Sequence, residues 1–190
     1  MNGLLFCKEV YALFDHIRKS TDGIERLRLR KDKLEKKLIE ELLPIARYIQ
    51  ARYSHGLQIK VKWVDGIQSY DAYLLCAGSL IDLHHVPRKQ FIEVTTAVHK
   101  NDHVLRSIIN NYSPAFGVKG VSKVAKSKKY ESKPYVYTNY EAQEDLYLKI
   151  LQRIQSKNEI VYPKNTTLII QCFLDTIFLE DEWDYGSATI

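Results

Sequence analysis

Gln58-Ile59-Lys60-Val61-Lys62-Trp63-Val64, Tyr70-Asp71-Ala72-Tyr73-Leu74-Leu75-Cys76 and Phe91-Ile92-Glu93-Val94-Thr95-Thr96-Ala97 are the segments that decide the fold. The first alternates polar and apolar residues, the period of a half-buried strand. Asp65-Gly66 marks a turn, the second segment is another strand, and the third, rich in β-branched residues, is a strand as well. Gly78 to Lys89 reads as a loop carrying His84, His85 and Pro87. Three successive strands with short links predict an antiparallel meander.

Upstream, Phe6, Val10, Leu13, Phe14 and Ile17 recur at helical steps, so the spacing predicts a helix over Leu5 to Lys19. Ser20-Thr21-Asp22-Gly23 breaks it, and a second helical pattern runs from Ile24 to about Tyr53. Arg26, Arg28, Arg30, Lys31, Lys33, Lys36 and Lys37 stud its first half, as on the wet side of a long helix. Pro44 is expected to kink this helix or to start a new one. These patterns predict a helical appendage over residues 1–37, able to pair with a second chain or another protein, and a compact domain over 38–190. Downstream, Asp102 to Asn111 is helical, Tyr135-Val136-Tyr137 is extended, Tyr140 to Lys157 is a long helix, and Thr166 to Cys172 is a buried strand. A helix between strands implies a crossover onto the central sheet, hence a mixed α/β domain.

The 190 residues, 45% hydrophobic and 27% charged, are those of a globular chain and exclude disordered and collagen-like classes. No apolar run approaches the roughly 20 residues that a membrane span needs, and the first ten residues lack a signal-peptide pattern. The three cysteines, Cys7, Cys76 and Cys172, form neither a disulfide framework nor a zinc knuckle, which points to a cytoplasmic protein. The net charge is only +5, but its distribution is uneven. Lys119, Lys123, Lys126, Lys128, Lys129 and Lys133 stand against Glu131 alone, a footprint that attracts polyphosphates, or simply a solvated loop. Asp175, Glu180, Asp181, Glu182 and Asp184 make the C-terminal stretch acidic.

Asp71 and Glu93 sit inside strongly apolar strands. A carboxylate buried there costs several kcal/mol, to order of magnitude, unless a cation meets it. Two such groups converging from neighbouring strands form a hard-oxygen site for Mg²⁺ or Mn²⁺. In the plainer reading they face solvent or pair with Lys60, Lys62 or Arg106. His84-His85 lacks further ligands at zinc spacing, and His99 and His103, four residues apart, lie near enough to Glu93 in sequence to touch a phosphate. Arg106 is the better phosphate clamp, because its guanidinium engages two oxygens at once. Tyr130, Tyr135, Tyr137 and Tyr140 beside the lysines either stack on bases or pack a strand face. No P-loop, GxSxG or dinucleotide fingerprint is present.

Glu40-Glu41-Leu42-Leu43-Pro44 on a helix, Tyr70-Asp71-Ala72 on one strand and Ile92-Glu93-Val94-Thr95 on the next resemble the PD-(D/E)XK phosphodiesterase superfamily. The resemblance covers about Leu38 to Cys172 and implies a restriction-endonuclease-like αβββαβ core with a mixed central sheet, preceded by the N-terminal helices. It further implies that Asp71 and Glu93 bind Mg²⁺ or Mn²⁺ with the carbonyl of Val94, and that Glu41 or Glu40 is the acid of the helix. The family's third-strand lysine is replaced by Thr95, which supplies no cation. Lys62 or Lys100 is the candidate replacement. The function so implied is metal-dependent hydrolysis of DNA, in defence against foreign DNA by analogy, with Arg106 and the lysine loop gripping phosphates. The alternative is a catalytically inactive nucleic-acid-binding or protein-assembly module on the same fold.

Overall fold

The structure, a computed structural model, describes residues 1–82, 86–111, 113–124 and 129–172. In chain order its elements are α1 (Gly3–Lys19), α2 (Gly23–Leu29), α3 (Lys33–Lys37), a π-helical stretch (Leu38–Leu42), α4 (Leu43–Arg52), β1 (Gln58–Trp63) and β2 (Ala72–Ala77). There follow α5 (Ser79–Asp82), β3 (Lys89–Thr96), α6 (Asp102–Asn110), a 3₁₀ turn (Val118–Gly120), β4 (Val121–Lys123), β5 (Tyr130–Ser132), α7 (Asn139–Asn158) and β6 (Thr166–Gln171).

The described residues fall into two compact units. The first comprises Met1–Thr96 with Ser156–Gln171, and the second Ala97–Gln155 with Cys172. The first unit holds a four-stranded mixed sheet in the order β1-β2-β3-β6. The expected meander is present, with β2 antiparallel to both β1 and β3, while β6 lies parallel to β3. The alternation read from β1 follows the core: Ile59 and Val61 are buried and Gln58, Lys60 and Lys62 exposed. Ala72, Leu74, Ile92 and Val94 continue that buried face, which packs with Ile45, Ala46 and Ile49 of α4 and Phe6, Cys7 and Val10 of α1 in one core.

Residues 1–37 are therefore part of the sheet's own unit, where an appendage had been expected. The Met1 ammonium donates to the Val61 carbonyl at 2.8 Å, and the Val61 N–H donates back to Met1 at 2.9 Å. Tyr11 donates its hydroxyl hydrogen to Gln50 at 2.7 Å, tying α1 to α4. Glu35, only 1% exposed, is neutralised by Arg26 across the break between α2 and α3. That break corrects the single helix expected over Ile24 to Tyr53: Arg30 takes a left-handed conformation (φ 51°) and ends α2.

From Lys33 to Arg52 the helical path continues through Pro44, but it widens. Proline lacks an N–H and its ring crowds the carbonyl four residues back, here that of Glu40. The chain accommodates this with the π-helical stretch, closed by the Leu43 N–H on the Leu38 carbonyl. Glu40 and Glu41 lie on that widened turn.

In the second unit Val104, Leu105 and Ile108 of α6 pack with Val121 of β4 in a small core. The lysine stretch, expected to be a loop, contains the β4–β5 hairpin, whereas Tyr135-Val136-Tyr137 forms no strand. Among the described residues no helix is long and apolar enough to cross a membrane.

Because α1 supplies core side chains, a chain lacking residues 1–19 is expected to lose cooperative unfolding in a denaturant melt. Ile49→Ala, at a fully buried position, is expected to cost roughly 2–5 kcal/mol in the same measurement. A truncated chain that melts as sharply as the full one would restore the separate appendage.

Candidate active site

Antiparallel pairing sets the geometry. Ala72 faces Ile92 and Tyr73 faces Phe91, so the same register carried one residue further sets Asp71 opposite Glu93. The Asp71 N–H donates to the Ile92 carbonyl at 2.8 Å, and its carboxylate accepts from the Val94 N–H at 2.7 Å. Glu93 is 8% exposed. Like charges facing each other across a sheet destabilise it, and burial compounds the cost. Burial pushes the Asp71 carboxyl above its ordinary value; the Val94 N–H opposes this and the Glu93 charge adds to it.

The compensating cation comes from neither position expected to replace the strand lysine. Lys157, in the last turn of α7, places its Nζ 2.5 Å from Glu93 Oε1. Lys62 is exposed on β1, one row along the sheet, and Lys100 belongs to the second unit. Thr95 remains on β3 opposite Ile170 of β6. Burial works against the charge on Lys157, but the hydrogen bond and charge of Glu93 outweigh it and hold the ammonium above its ordinary pKa. Tyr162, five residues on, feels the charges of Glu93, Lys157 and Asp71, and burial pushes its phenol up. Among the described residues its buried hydroxyl oxygen has no hydrogen-bond partner.

Of the two helix acids, Glu40 pairs with Arg30 at 3.4 Å. Glu41 accepts a hydrogen bond from Trp63 Nε1 at 3.0 Å, and burial, with Asp71's charge adding to it, raises its pKa. Lys37 lies over the Trp63 ring, 4.8 Å from its centroid, and pairs with Asp65, which also holds Lys33 at 2.9 Å. Residues read as the wet face of a helix thus lie at the β1–β2 turn. Among the described residues no three His, Cys, Asp or Glu side chains gather as a metal cage. The side chains that could hold a metal there are the carboxylates of Asp71 and Glu93. That set fits Mg²⁺ or Mn²⁺, which commonly use one or two carboxylates and keep waters and substrate oxygens as the remaining ligands. The Lys157 ammonium shows that Glu93 already accepts a cation.

The second unit holds the other expected phosphate contacts. Arg106 lies 3.0 Å from Asp102 on its own helix, so the expected clamp is engaged within α6. Lys119 and Lys149 flank Asp145, at 3.6 and 2.7 Å. His99 accepts at Nδ1 from the Asn101 N–H at 3.1 Å, and burial pushes its pKa down. His103 is exposed on α6. Lys123 and Lys129 are exposed beside the hairpin. Lys126, Lys128, the His84-His85 pair and the acidic residues from Asp175 onward lie outside the described residues.

Comparison of the chain with protein-family models, with curated proteins and with solved structures finds no match. Sequence reasoning missed Lys157, Tyr162 and Lys37. A lysine closing the crossover helix, just before the strand that returns beside β3, was the available signal for Lys157.

Glu41, raised by burial, binds more protons folded than unfolded between the ordinary carboxylate range and its raised value. Its contribution to stability therefore declines as pH rises through that window. Glu41→Gln, which can still accept from Trp63, is expected to raise the melting temperature of the metal-free protein at neutral pH and to leave it unchanged in acid. An equal shift at both pH values would assign the effect to packing.

Proposed function

We propose that the chain is a metal-dependent nuclease that hydrolyses phosphodiester bonds of DNA on a restriction-endonuclease-like core. The order α4, β1-β2-β3, helix, β6, with β6 parallel to β3, supports that core. The observation that carries the reading is the pairing of Asp71 and Glu93 across β2 and β3, with an ammonium on Glu93. Such a cluster weakens the fold in the absence of a ligand, a pattern characteristic of functional sites.

Asp71 and Glu93 would hold Mg²⁺ or Mn²⁺, with the Val94 carbonyl as the third oxygen that the resemblance implies. The ion when bound lowers the pKa of an attacking water and offsets charge on the phosphate oxygens. The Val94 N–H fixes one Asp71 oxygen and so orients the carboxylate. Glu41, held by Trp63, lies within the field of Asp71, and its negative charge would add to the attraction for a cation there. Exposed Lys123 and Lys129 offer phosphate contacts without base preference. The second reading, a DNA-binding or assembly module without catalysis, is favoured by Thr95, which puts an uncharged side chain two residues after Glu93, where the resemblance implies a lysine.

The test is cleavage of supercoiled plasmid and of single-stranded DNA with Mg²⁺ or Mn²⁺. Metal-dependent cutting is expected, falling on the order of 10²-fold or more in Asp71→Asn, the usual loss when charge stabilisation at a reacting phosphate goes. DNA binding without cutting under either metal would select the second reading. Equal cutting by wild type and variant would remove Asp71 from the site.

A further inference from the structure

We propose that Lys157 is a built-in counter-ion that occupies Glu93 while the metal is absent, and that loading displaces it, leaving its ammonium beside the site as the cation Thr95 cannot provide. This rests on the metal reading above and adds how the site is held before loading and what replaces the strand lysine.

Three observations carry it. Glu93 is 8% exposed, and its carboxylate meets the Lys157 Nζ at 2.5 Å. An ionised carboxylate so placed requires a counter-charge, so a metal bound through Glu93 has to take over the role that Lys157 fills. Second, Lys157 is well placed to yield. It is the penultimate residue of α7, and its flexible four-carbon stem is 23% exposed as a side chain, so the ammonium can swing without moving the helix. Third, Tyr162 follows Lys157 by five residues, and its buried hydroxyl oxygen has no hydrogen-bond partner among the described residues. An ammonium leaving Glu93 thus finds a hydrogen-bond acceptor without returning to bulk water. It remains within reach of Asp71's field, where it can orient a water or neutralise a phosphate oxygen. Thr95 on β3 is uncharged and does neither.

If Lys157 competes with the metal, removing its charge strengthens metal binding while weakening catalysis. These opposite signs separate the proposal from a purely structural ion pair, whose loss would weaken both. The experiment is isothermal titration of Mn²⁺ into the metal-free protein without DNA, for wild type, Lys157→Gln and Lys157→Arg, followed by plasmid cleavage at saturating Mn²⁺. Lys157→Gln is expected to bind Mn²⁺ about tenfold more tightly, equivalent to ~1.4 kcal/mol, and to cleave about tenfold more slowly or worse. Lys157→Arg, which keeps the pair with Glu93, is expected to bind as wild type does. Equal or weaker binding by Lys157→Gln overturns the competition, and undiminished cleavage overturns the second role. Absence of Mn²⁺ binding by all three proteins overturns the metal reading itself and this inference with it. Should Lys157→Gln fail to fold, the ε-methylene resonance of Lys157 in the wild type serves instead. It is expected to shift on Mg²⁺ addition with the midpoint of metal binding, and an unmoved resonance in a protein that binds Mg²⁺ overturns the displacement.

Discussion

Two carboxylates set opposite each other across a pair of strands cannot both stay ionised inside a sheet unless something positive or hydrogen-donating meets them. The β2–β3 register imposes that arrangement on Asp71 and Glu93, and the structure meets each differently. Asp71 receives a backbone N–H from Val94, while Glu93 receives the ammonium of Lys157. The first solution is local, one strand serving the next. The second requires the chain to travel more than sixty residues and return, and it ties the end of α7 to the central sheet. A one-residue slip of register would move Glu93 to the face occupied by Ile92 and Val94 and put a carboxylate into the apolar core.

The N-terminal helices serve the same region from the other side. α1 and α4 cover the buried face of the sheet, which fixes the direction in which the π-helical stretch presents its acids. Pro44 widens the helix at that point, Glu40 is taken up by Arg30, and Glu41 remains against Trp63. Lys33 and Lys37 then converge on Asp65 at the β1–β2 turn. A segment that reads as an accessory is therefore responsible both for core volume and for the charge environment of the candidate site. The groups whose pKa values burial pushes up in the first unit include Asp71, Glu41 and Tyr162. Their desolvation is a cost to the metal-free fold that a bound cation would reduce.

Much of this was legible in the chain itself. Period-two alternation at Gln58 to Trp63, the apolar run at Phe91 to Thr96 and the helical spacing in α1 are local signals, and burial follows them closely. Asp71 and Glu93 stood out because a charge within an apolar strand contradicts its surroundings. The break at Arg30 was hidden because a left-handed arginine carries no compositional mark. The β4–β5 hairpin was hidden because three-residue strands amid lysines show no alternation long enough to read. The extent of the first unit was hidden for a different reason: a basic helical segment looks solvated until its apolar side finds a partner, and that partner is the sheet.

What the sequence determined, then, is the strands of the meander, β6, the longer helices and the two carboxylates, since periodicity and an out-of-place charge depend only on neighbours along the chain. Tertiary structure alone decided which cation answers Glu93. Lys62, Lys100 and Lys157 are chemically equivalent as residues, and in sequence Lys100 is nearest. The parallel return of β6 beside β3 brings the end of the crossover helix to the sheet, so the ammonium that reaches Glu93 is the most distant of the three. Electrostatic pairing depends on distance through space, and that distance is set only when the sheet closes.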